Sequence, residues 1–188
     1  SNADGYAVIL QTAEFLPDLA DFGNPGATEA LGVIPHSGSY KPLKGPSVYS
    51  PALDARCQGA FAGQDRDGNT KVYAGDAAKL YDVSGSAATD VSKSGGYSIG
   101  SDQWWEYAQW GNQIFAANIA DPVQEITLGG ANFADLFTST AKPKARHIAV
   151  VKDFLVLGNI DDATDGTVPN RVAWTAFNDP TDIDIDAD

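Results

Sequence analysis

A chain of 188 residues, 43% of them apolar, is long enough for one sizeable domain or for a domain with an extended arm. Its net charge of −13 comes from 25 acids against 12 basic residues, with no basic cluster beyond Lys142-Pro143-Lys144-Ala145-Arg146. This argues against nucleic-acid binding driven by phosphate neutralisation. One cysteine excludes an intrachain disulfide, two isolated histidines leave no zinc site, and no apolar run approaches the roughly 20 residues a membrane helix needs.

The acids are 21 Asp and 4 Glu. Asp bonds to nearby backbone and favours turns and caps, whereas Glu favours helix, so the bias predicts many turns and little helix. Ser1-Asn2-Ala3 reads as an expression scar, and with no methionine in the sequence the native start is expected to lie outside it. Tyr6 to Leu10 is too short for a signal peptide and has no basic flank. From residue 4 to residue 55 the chain is broken by Leu16-Pro17-Asp18-Leu19, Gly23-Asn24-Pro25-Gly26, Ile34-Pro35, Lys41-Pro42-Leu43 and Gly45-Pro46. Such spacing predicts an irregular, Pro/Gly-rich N-terminal arm, with at most one helical turn at Ala27 to Leu31, which must lie on another surface or stay mobile.

Residues 56–188 read differently. Turns are predicted at Asp67-Gly68, Gly111-Asn112 and Lys152-Asp153, each between apolar, strand-like runs, and they start 44 and 41 residues apart. After each turn come a small or polar break, a shorter run, and an ending in Asp90-Val91, Asp135-Leu136-Phe137 or Asp182-Ile183. The fold class expected is therefore all-β, built of about three antiparallel hairpin repeats of 41–44 residues. That period matches propeller blades, although three repeats do not close a ring that typically takes 4–8. No WD dipeptide is present. The stretch His147 to Leu157 is apolar on both sides of its turn without alternation, which predicts strands covered on both faces. Ile160 to Asn170 reads as a loop inserted between the second and third strands of the last repeat. The closing Asp182-Ile183-Asp184-Ile185-Asp186-Ala187-Asp188 alternates like a strand with no partner following it.

Several groupings invite a chemical reading. Gly96-Tyr97-Ser98-Ile99-Gly100 matches the nucleophile-elbow pattern, with His147 downstream, but it lies between hairpins with no helical pattern after it, so a Gly-rich connector is expected. Asp65-Arg66-Asp67-Gly68-Asn69 and Asp161-Asp162-Ala163-Thr164-Asp165-Gly166 resemble parts of calcium loops. Neither has the Glu at the twelfth position, and Asp-Gly is already a turn signal without metal. Glu106 and Glu125 are the available glycosidase pair, with Trp104, Trp105 and Trp110 as a sugar platform. Cys57 reads as a small, partly buried strand residue. No cofactor and no metal is expected.

The arm segments above, with Gly38-Ser39-Tyr40-Lys41-Pro42-Leu43, Tyr73-Ala74-Gly75, Leu80-Tyr81, Gly95-Gly96-Tyr97-Ser98, Trp105 to Asn118, Asp121-Pro122 and Trp174 to Pro180, resemble bacteriophage and prophage structural proteins of the short-tail apparatus. The likeness is to tail hub, nozzle or tail-accessory proteins with an irregular arm and a β-propeller. It implies a virion structural protein without catalytic residues, assembled in the bacterial cytoplasm, whose partners are other tail proteins and copies of itself in a conduit for DNA ejection. An acidic wall would repel phosphate in such a conduit. In that role the interface candidates are Trp104, Trp105, Trp110 and Trp174, since Trp is enriched at binding hot spots. Adjacent residues on a strand face opposite ways, so one of Trp104 and Trp105 should point away from the core. The alternative reading is a secreted or surface propeller that binds or cleaves glycans.

Overall fold

The structure is a computed structural model that describes residues 14–20, 22–37, 39–45, 47–138 and 142–183. Among these residues it is all-β: thirteen strands in four small antiparallel sheets, and no helix. The helical turn allowed at most at Ala27 to Leu31 does not form. Ala27 instead bridges Phe15, and its N–H donates to the Glu14 carbonyl at 3.0 Å, which leaves that backbone extended. Ser1-Asn2-Ala3, Tyr6 to Leu10 and the alternating end from Asp184 onward lie outside the described residues.

Contacts divide the chain into two compact units, 1–48 and 49–188. In the first, β1 (Val33–His36) and β2 (Ser39–Pro42) form a hairpin in which Ile34 faces Lys41 across the ladder. Its other order is local: Asn24 accepts from the Gly26 N–H and donates to the Leu16 carbonyl, an Asx bend set by the Asn-Pro-Gly sequence.

The second unit holds three sheets, each formed by strands paired in chain order. The first comprises β3 (Gly59–Gln64), β4 (Thr70–Gly75), β5 (Leu80–Asp82) and β6 (Thr89–Asp90). The next comprises β7 (Glu106–Trp110), β8 (Gln113–Ala117), β9 (Gln124–Thr127) and β10 (Ala134–Asp135). The last has only three strands, β11 (Lys144–Val151), β12 (Phe154–Asp162) and β13 (Gly166–Trp174). Each hairpin turns where its local sequence dictates. Trp110 pairs with Gln113 across Gly111-Asn112, with Gly111 at φ +58°, and Val151 pairs with Phe154 across Lys152-Asp153. A positive φ at the first turn position twists the strands correctly for a two-residue hairpin.

One expectation for the last repeat fails. Ile160 to Asn170 is not an inserted loop: β12 runs on to Asp162 and returns as β13 after three residues. The register against β13 shifts between Gly158 and Ile160, where one residue of β12, Asn159 at φ +55°, stands against three of β13, Pro169 to Arg171, so the bulge is carried by β13 while β12 keeps its register with β11. Asp182-Ile183, in turn, forms no ladder. Ile183 still packs into the core, as do Val91 and Leu136 at the ends of the other two repeats.

The sheets are joined through apolar faces. Tyr73, Leu80 and Val91 of the first sheet pack with Ile114, Ala116 and Ile126 of the second, around Trp105, Tyr97 and Phe133. On its other side the second sheet meets the third, where Phe115, Val123, Leu136 and Phe137 pack against Ile148, Leu155, Leu157 and Ile160. Strand β7 lies beside both β3 and β11. Alternation explains the division: successive side chains of β8 point to opposite faces, so Ile114 and Ala116 serve one cluster while Phe115 and Ala117 serve the other.

Candidate functional site

The four tryptophans occupy different environments. Trp105 is buried; its Nε1–H donates to the Asp76 carbonyl at 2.9 Å, and its ring meets Tyr97 edge-on with centroids 4.8 Å apart. Room for the indole comes from Gly59 and Gly75, which face each other across β3 and β4. A Cβ on Gly75 would lie 2.3 Å from Trp105 Cδ1. Trp104 is 49% exposed, with the Arg146 guanidinium 5.7 Å from its ring centre. Trp110 is partly buried against the cluster between the second and third sheets. Trp174, which the sequence places inside an apolar strand, is 62% exposed.

The groups with catalytic or metal-binding patterns are each engaged locally. Ser98 is exposed on the irregular connector before β7, its N–H donating to Asp121 Oδ2 at 3.3 Å. His147 is on β11, with Nδ1 3.0 Å from Glu106 Oε2; the same oxygen accepts the Ile148 N–H at 3.1 Å. Glu125, on β9, accepts from Gln113 Nε2 at 3.4 Å, and burial raises its pKa. Asp65 closes its turn by accepting from the Asp67 and Asn69 N–H groups and from Asn69 Nδ2; the Asn69 side chain leads in lowering its pKa. Arg171 binds Asp162 at 2.8 Å and Asp165 at 2.5 Å. Among the described residues no group of three or more His, Cys, Asp or Glu side chains could hold a metal ion. Cys57 is exposed in the segment before β3, contrary to the expected partly buried strand position, because the ladder starts only at Gly59.

Two features went unread in the sequence. The first is a repeated buried Asx at the end of each second strand: Asp76, Asn118 and Asp162, spaced 42 and 44 residues apart. In each, Oδ1 accepts the N–H groups two and three residues on, at 2.7–2.8 Å. The outer atom differs. Asp76 Oδ2 accepts from Tyr81 Oη–H and Asp162 Oδ2 from Arg171, but Asn118 Nδ2 is buried with no partner. Val123 stands five residues after Asn118, as Tyr81 stands five after Asp76, and brings no hydroxyl.

The second is the outer face of the third sheet. The sequence predicts β11 and β12 covered on both faces, but only one is. The inward row of Ile148, Leu157 and Ala173 alternates with an outward row of Ala149, Val156 and Trp174, and the ladder register sets all three abreast. To one side lies the row His147, Gly158, Val172; to the other, Val151 opposite Phe154, whose ring Phe177 meets at 5.9 Å. Val151, Val172, Trp174 and Phe177 are all more than half exposed. The signal available was the alternation in Val172-Ala173-Trp174, hidden by reading the preceding residues as loop.

A polar network closes the edge of the second sheet. Asp135 accepts from Lys93 Nζ and Gln124 Nε2 at 2.7 Å and from Lys142 Nζ at 2.9 Å. Burial works against its charge, but these donors prevail and hold its pKa down at about 2. Gln124 also accepts from Tyr97 Oη–H at 3.2 Å. Beside the network is an open groove of about 580 Å³, lined in part by Lys79, Lys93 and Asn132. Lys79 is paired with Asp54 there, and Lys93 with Asp135. In comparisons with known proteins, no family model and no curated protein matches this chain. Fold and site together define an all-β protein whose third sheet leaves an apolar face exposed.

Proposed function

We propose that this chain is a non-enzymatic structural component of a phage or prophage tail, acting through protein–protein contacts, and that its three sheets are consecutive blades of a propeller-like array. The observation that carries the contact role is the exposed apolar face of β11–β13, centred on Trp174. Glu106 is paired with His147 and Glu125 with Gln113, and Ser98 lies on a connector away from β11, whereas four apolar side chains stand exposed on one surface. Patches of this kind mark interaction sites. The array reading is supported by the chain-order pairing within each sheet and by β7 lying beside both β3 and β11. The tail assignment rests on the sequence resemblance. The net charge of −13 suits a surface past which DNA travels without adhering.

The test is to purify particles induced from a lysogen carrying the gene, locate the chain by immunogold labelling, and repeat after deleting the gene. The expected result is label confined to the tail and loss of finished tails on deletion. Particles that lack the chain and assemble normally without it would overturn the reading.

A further inference from the structure

We propose that the outer face of the β11–β13 sheet is a self-pairing surface, covered by a second copy of this chain about a twofold axis. The proposal deepens the contact role above and rests on it only in taking this face as an interface. The phage origin is not needed.

Three observations select a second copy. The first is charge. In a chain of net charge −13, most approaches between copies set carboxylate against carboxylate. The strand residues of this face include one carboxylate, Asp161, which Lys144 holds at 3.2 Å, and the neighbouring acids lie at its rim, Glu106 on His147 and Asp153 in the β11–β12 turn. The second is relief. Gly158 leaves a hollow between His147 and Val172, where an added Cβ would meet only the His147 Cβ, at 3.6 Å. The exposed indole of Trp174 stands on the next outward row of the same strand pair. Ridge and hollow therefore lie side by side on one face, as a twofold contact requires, since each copy must supply both. The third is that the far face of the first sheet is closed by its own chain. Ala74, Tyr81 and Val83 are buried there, with Leu53 and Ala88 packed against them. A head-to-tail contact of third sheet on first sheet finds no open apolar partner, and like-to-like pairing does.

The apolar rows span about 14 by 10 Å, from the spacing of same-face residues and of neighbouring strands. That is the core of an interface well below the ~800 Å² per partner of a stable complex. Pairing is therefore reversible, and the test must span concentration. Sedimentation equilibrium of the full chain, from low micromolar to near millimolar, is expected to give a monomer–dimer equilibrium. Trp174→Asp should weaken it by at least about tenfold with little change in melting temperature. Val172→Lys provides a second variant should the first fail to fold, and Trp104→Ala, at an exposed tryptophan outside strands β11–β13, should leave dimerisation unchanged. A chain that stays monomeric throughout, with the face left to another protein, would overturn the proposal. So would a dimer that neither face substitution weakens. Dimerisation as expected in a chain absent from particles would leave this inference standing and remove the tail reading; particle incorporation of a chain that never dimerises would do the reverse.

Discussion

Two neighbouring indoles have opposite fates here, and the cause lies at two glycines far away in sequence. Trp105 lies over Gly59 and Gly75 and donates its N–H to Asp76, whereas Trp104 faces solvent beside Arg146. Trp105→Ala removes a buried ring and leaves a cavity; the expected loss is about 3–5 kcal/mol, measurable by urea denaturation. Trp104→Ala should cost within about 0.5 kcal/mol, as surface changes usually do. Equal losses for the two would contradict this packing. The sequence reading put the pair on opposite faces of one strand, but both residues precede β7, so their division does not come from strand alternation. Which of them turns inward was not legible, because the glycines that admit the ring are 30 and 46 residues away in the chain. Asn118 supplies a second test. Its Nδ2 has no partner, and Val123 offers no donor to a carboxylate oxygen in its place. Asn118→Asp would bury a charge satisfied on one side only, at a cost of about 1–3 kcal/mol at neutral pH. Burial raises the pKa of such a carboxyl when folded, so the penalty should fade as pH falls towards about 4 and be gone below it. A penalty independent of pH would count against this account.

Among the elements, the hairpins were the readable part. Gly111-Asn112 carries its turn chemistry in two adjacent residues and the first turn closes within Asp65 to Asn69, so no tertiary contact has to be foreseen. Gly111 has open space around its missing Cβ, so Gly111→Ala strains the backbone alone, and a loss of about 1 kcal/mol is expected. Gly75→Ala, at the end of β4 and without a positive φ, should be far worse because the indole must move. Ranking the two by thermal melts separates backbone strain from packing. The long β12–β13 hairpin was unreadable for the opposite reason. The surplus residues Pro169 to Arg171 are taken up as a bulge in β13, so the ladder continues through a polar stretch that elsewhere ends a strand. Asp135 was recognised as an ending, but not as an acceptor for Lys93, Gln124 and Lys142, which converge on it from other segments. Its pKa of about 2, against roughly 3.9 in an unfolded chain, means that its contribution is in full force above about pH 4 and is lost as pH falls from 4 towards 2. It should amount to at most about 2 kcal/mol. Asp135→Asn should flatten that part of the stability profile in denaturant titrations between pH 2 and 5.

For the molecule as a whole, the three-repeat order was legible from spacing, while the way the repeats share their cores was not. Each cluster draws on two sheets, and β8 feeds both from alternate side chains, so the second sheet has no private core. The exposed side of the third sheet escaped the sequence reading because Phe154 to Leu157 looks apolar throughout, and only the register of β13 tells which residues stand abreast. Shared cores predict strong coupling between neighbouring sheets, as in repeat arrays, where a unit is stable through its interfaces. Ending the chain after residue 138 would strip Ala145, Ile148, Leu155, Leu157 and Ile160 from the cluster that covers Phe115, Val123 and Phe137. Each large buried side chain contributes about 1.5–3 kcal/mol, so the sum is comparable to the ~5–15 kcal/mol by which a whole domain is stable. The truncated chain should therefore keep strand content in far-UV circular dichroism while losing its near-UV signal and binding a hydrophobic dye. A cooperative melt with a native near-UV spectrum would mean that the first two sheets stand alone, and that the cluster between the second and third contributes much less than its burial implies.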